Sequence, residues 1–77
     1  MKLLTGRITV DSKTVGGKPF FRGTRIPVYV VLEMLANRER SEDIFRAYPN
    51  LTEDDLRDAL IYARNLAEVP AAPPAAA

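Results

Sequence analysis

A chain of 77 residues with a formal net charge of +1 has room for one domain, whose core is small for its surface. It contains no cysteine and no histidine, which removes disulfides, thiolate metal sites and the commonest general base. No run approaches the ~20 apolar residues of a membrane span and no apolar leader opens the chain, so a cytosolic protein is expected, gaining buried surface as a homodimer.

Met1 to Thr5 reads as a poorly fixed lead-in. Arg7-Ile8-Thr9-Val10-Asp11 alternates polar and apolar residues, predicting a strand with Ile8 and Val10 on one face and Thr9 on the other. Val15 to Phe21 is its expected hairpin partner. The run Gly16-Gly17-Lys18-Pro19-Phe20-Phe21-Arg22-Gly23-Thr24-Arg25-Ile26-Pro27-Val28 then organises the chain. Its glycines predict two tight reversals, with a short extended piece between them, and Pro27 sits where a helix starts. Phe20 and Phe21 point to opposite faces of a strand, so one is expected in the core and the other against a partner. With Ile26 and Met34 they form the expected partner-binding set.

Pro27 to Asn37 is the first predicted helix, with Val28, Val31, Leu32 and Leu35 at i, i+3, i+4 and i+7. Val30 and Met34 widen that stripe. Asn37 tolerates the left-handed conformation and is the expected C-terminal cap. Ser41 is expected to cap a second helix reaching Tyr48, with Ile44, Phe45 and Tyr48 inward and Pro49 ending it. Thr52 caps the third, with Asp55 three residues on as in a capping box. Leu56, Ala59, Leu60, Ala63, Leu66 and Ala67 are its predicted buried stripe. The domain is expected to span 1–68, with 69–77 a disordered proline–alanine tail.

The glycine–proline run resembles the signature of the DUF433 family, small bacterial and archaeal proteins that include VapB-type antitoxins. Tyr48-Pro49-Asn50-Leu51-Thr52, Asp54-Asp55-Leu56 and Ala59-Leu60-Ile61-Tyr62-Ala63 resemble the family's second motif. Where this family usually has glycine and a capping serine or threonine, the chain has Arg38 and Arg40. The resemblance implies an α+β fold, mostly α, in which a short N-terminal β-hairpin precedes a three-helix, homeodomain-like helix-turn-helix unit. It also implies the antitoxin of a type II toxin–antitoxin pair, which binds a PIN-like ribonuclease toxin and represses its operon through operator DNA. A DNA-binding regulator without a toxin, and a structural dimeric adaptor, are the alternatives.

Charge is unevenly spread: eight cations face three acids up to Arg40, and three arginines face seven acids from Ser41 onward. Such asymmetry suits a basic face toward nucleic acid, and equally a two-signed solvated surface. The third helix opens with Glu53, Asp54 and Asp55, which would repel phosphate, so that end is a poor DNA reader. Arg7, Lys18, Arg22, Thr24 and Arg25, supported by Arg38 and Arg40, are the expected DNA contacts. In the other reading, Arg22 and Arg25 brace the hairpin against carboxylates of the third helix. With no nucleophile–base pair available, neither catalysis, cofactor nor metal is expected.

Overall fold

The computed structural model describes residues 2–70. Three strands, β1 (Lys2–Thr5), β2 (Ile8–Val10) and β3 (Phe20–Phe21), precede three helices, α1 (Val28–Ala36), α2 (Ser41–Ala47) and α3 (Glu53–Glu68). The strands form one antiparallel sheet in the order β1-β2-β3. The architecture is therefore α+β and mostly helical, with a three-stranded sheet where a two-stranded hairpin was expected.

The extra strand is the segment read as a lead-in. Gly6, at φ 52°, is the first residue of a two-residue turn, Gly6-Arg7, which lets Thr5 pair with Ile8. A central β2 is covered more completely than a hairpin strand, so Thr9 is as fully buried as Ile8. The same closure buries both Phe20 and Phe21 within one chain. Phe21 joins the core of Ile8, Val28, Val31, Ile44, Leu51 and Ala59, while Ile26 and Met34 pack against that core half-buried. The two phenylalanines are thus not offered to a partner, contrary to expectation.

Between β2 and β3 the backbone turns left-handed over Val15, Gly16 and Gly17, with φ of 54°, 62° and 78°. An Asx-type turn precedes it: the Asp11 carboxylate accepts from the Lys13 N–H at 3.0 Å and from the Thr14 hydroxyl at 3.2 Å. The Lys13 bond, ahead of the Thr14 one, holds the Asp11 carboxyl below its ordinary range.

Helix α1 starts after Pro27 and ends in a Schellman motif. The Arg38 N–H donates to the Leu35 carbonyl and the Glu39 N–H to the Met34 carbonyl, both at 3.0 Å. The left-handed residue there is Arg38, at φ 66°, whereas Asn37 stays at φ −85°. Asn37 is the C-cap of α1, as expected, but the left-handed position that follows it falls on an arginine. At α2 the expected serine cap moves. Arg40 is the capping residue, and the Asp43 carboxylate reaches back to accept its N–H at 3.0 Å, while Ser41 is already helical.

Helix α3 starts as the sequence predicts. The Thr52 hydroxyl accepts from the Asp55 N–H at 3.2 Å, and the Asp55 carboxylate accepts from the Thr52 N–H at 2.9 Å. Its predicted stripe is buried only in part. Ala59 is fully buried and Leu56 half-buried, but Leu60 and Leu66 are 51% and 58% exposed, and Ala67 is exposed too. Helix α3 packs on α1, β1 and β2. Of the tail expected to be disordered, residues 71–77 lie outside the described residues.

Candidate nucleic-acid and partner-binding surfaces

The β1–β2 turn and the start of α3 are bound into one unit. Asp55, fully buried, accepts from the Arg7 Nε–H and from the backbone N–H and hydroxyl of Thr52. One turn on, the Asp58 carboxylate accepts the Arg7 backbone N–H at 3.1 Å. A Cβ on Gly6 would run into the Asp58 carboxylate, so a side chain there would displace Asp58 as well as strain the positive φ. The remaining reach of Arg7 goes to the Arg22 carbonyl, 3.1 Å from its terminal nitrogen. Brace and cation are both real, but the brace is Arg7, and neither Arg22 nor Arg25 makes an ion pair among the described residues. A guanidinium held by a buried carboxylate is poorly placed to bind phosphate.

The β3–α1 turn presents the free arginines from a fixed frame. The Arg22 N–H donates to the Arg7 carbonyl at 2.7 Å, and the Thr24 N–H to the Phe21 carbonyl at 3.0 Å. The Thr24 hydroxyl also donates to Phe21 and accepts the Ile26 N–H at 3.0 Å. Thr24 is therefore a turn brace, and Arg22 and Arg25 are the exposed side chains. Arg38 and Arg40 sit at the other end of α1, about 15 Å away along a nine-residue helix at ~1.5 Å per residue. Arg40 lies 3.9 Å from Glu42, a strongly exposed pair of little energetic weight. The expected DNA set thus divides between two turns. Lys18 is separate again, with its Nζ 5.5 Å from the centre of the Tyr29 ring.

An apolar surface lies elsewhere than Phe20 and Phe21. A cleft of about 330 Å³ opens between α1 and the second half of α3, with Lys18-Pro19 at its rim. Its walls include Tyr29, Leu32, Tyr62 and Leu66, and Tyr29 is 52% exposed. Sequence reasoning missed the two tyrosines. Tyr29 lies outside the predicted α1 stripe, yet Tyr62 follows Ala59 at i+3 and could have been added to that of α3.

The described residues thus form a small antiparallel sheet braced to a three-helix unit, with exposed arginines at one turn and an open apolar cleft between α1 and α3. Residues 8–63 match the family described as protein of unknown function DUF433, and the chain belongs to that family. An uncharacterised protein, y4eO, of Sinorhizobium fredii (strain NBRC 101917 / NGR234) is 39% identical over 56 residues. That alignment covers 73% of this chain but spans only a quarter of the relative's length (25%). No solved structure matches.

Proposed function

We propose that this chain is the antitoxin of a type II toxin–antitoxin pair, binding a PIN-like ribonuclease toxin and repressing the shared operon through operator DNA. The toxin part rests on the resemblance of the glycine–proline run and the Tyr48–Ala63 motif to the DUF433 family, which includes VapB-type antitoxins. The DNA part rests chiefly on one observation: Arg22 and Arg25 stand exposed and without ion pairs among the described residues on a hydrogen-bonded turn, while Arg7 satisfies the nearby buried acid. Exposed arginines on a fixed turn beside a short ribbon suit phosphate or guanine contacts. The chain acts by binding, in the cytoplasm, and the cleft beside Tyr29 and Leu66 is the surface that a protein partner fits best.

Homodimerisation belongs to the same reading, because Leu4, Tyr29, Leu60, Leu66 and Val69 remain exposed on a small domain. Light scattering at tens of micromolar should give a dimer mass. Co-expression with the neighbouring gene product should yield a stable complex that abolishes a ribonuclease activity. If that product is no nuclease but the chain still binds its own promoter, a regulator without a toxin is the correct reading.

A further inference from the structure

Large apolar side chains gather at one place on the surface of the described residues. On α3, Leu66 follows Tyr62 at i+4 and Val69 follows Leu66 at i+3, along one side of the helix and its end. Tyr62 and Leu66 line the α1–α3 cleft from α3, and Val28, Tyr29 and Leu32 line it from α1. Tyr29, Leu66 and Val69 are each more than half exposed. Among the described residues Lys18 is the one charged side chain lining the cleft, and its ammonium already lies over the Tyr29 ring. The cleft therefore asks for an apolar occupant rather than a charged one. We propose that this occupant is a second copy of the chain, the two meeting as a two-fold pair with the second halves of their α3 helices antiparallel across both clefts. The inference rests on the homodimer of the proposed function and adds where its copies meet.

Two properties of the patch favour its own copy. It is self-complementary, as a two-fold contact must be. Leu66 and Val69 project from the surface beside a recess, and a two-fold axis next to Leu66 sets Tyr62 of each chain against Val69 of the other. Its size also suits a dimer. With about 150–250 Å² in a whole aromatic side chain, Tyr29, Leu66 and Val69 together leave on the order of 300 Å² of apolar surface open. Half-buried Pro19, Leu32 and Tyr62 raise this toward the ~450 Å² of apolar area that a standard interface takes from each partner. A further protein then reaches the cleft only by displacing the second copy.

Leu66→Glu sets a charge at the centre of that contact. Sedimentation equilibrium, with folding checked by circular dichroism, should show the dimer Kd raised by about 30-fold or more. Leu60 is the control, being 51% exposed but about 120° around α3 from Leu66. Leu60→Glu should raise the Kd by less than about threefold, as expected outside the contact. In the natural protein, mixed from isotope-enriched and unenriched chains, the Tyr62 ring should show nuclear Overhauser contacts to the Val69 methyls of the other chain. A natural dimer that lacks these contacts, or that both substitutions weaken equally or not at all, would overturn this face and leave the homodimer standing. A monomer mass for the natural chain at tens of micromolar would overturn both.

Discussion

The two halves of α3 differ in what they bury. In the first half two acids turn into the molecule, Asp55 buried against Arg7 and Thr52 and Asp58 holding the Arg7 backbone, while Glu53, Asp54 and Arg57 stay exposed. In the second half Leu60 and Leu66 are both more than half exposed, while Ile61, Tyr62 and Ala63 are half-buried. The hydrophobic stripe continues through both halves, yet Ala59 is fully buried where Leu60 and Leu66 are not, so apolar spacing along a helix does not by itself decide burial.

That contrast can be broken at the acids. Asp55→Ala removes a buried charge-assisted bond and the returning half of a helix cap, and should cost about 2–3 kcal/mol. Urea titration followed by circular dichroism would measure it, and a loss under ~0.5 kcal/mol would mean that the Arg7–Asp55 bond does not hold the sheet to α3. Gly6→Ala should cost about 1–2 kcal/mol, since it forces a side chain at positive φ and pushes Asp58 off the Arg7 N–H. An unchanged midpoint would show that Asp58 moves aside freely.

Two further substitutions sharpen it from the other side. Arg38→Gly should stabilise the protein by about 0.5–1 kcal/mol, because the left-handed position in the Schellman motif carries a side chain at a conformational cost. Differential scanning calorimetry should show the melting temperature rising by several degrees, and a fall would mean that the Arg38 side chain makes a stabilising contact. Leu60→Gln, on the exposed half of α3, should change the stability of the single protomer, measured at dilution where light scattering gives a monomer mass, by no more than ~0.5 kcal/mol. A loss of ~2 kcal/mol under those conditions would show Leu60 covered within its own chain.

Much of this fold is legible in the sequence, because the signals are local. Thr52 and Asp55 announce the start of α3, Pro27 the start of α1, and the apolar spacing of Val28 and Val31 the face that is buried. What escapes is set by distance along the chain. Nothing near Gly6 says that it faces Asp58, or that Arg7 will reach Asp55 rather than solvent, since these pairs meet only when α3 packs on the sheet. For the same reason Arg7 and Thr24 read as DNA contacts although Arg7 is engaged by Asp55 and Thr24 by its own turn, while Arg22 and Arg25 are exposed and make no ion pair among the described residues. Phe20 and Phe21 mislead because strand alternation assumes one open face, and here both faces of the short sheet are covered.

The most direct test of the proposed function uses the turn between β3 and α1. Fluorescence anisotropy should be measured on the chain's own promoter fragment at several salt concentrations, for the natural protein and for Arg22→Ala with Arg25→Ala. Loss of two phosphate contacts should weaken binding and make the slope of log affinity against log salt shallower by roughly two. Arg64→Ala, on the exposed second half of α3, should change neither quantity. Unchanged affinity and slope in the folded double variant would contradict the account and place any DNA contact away from this turn.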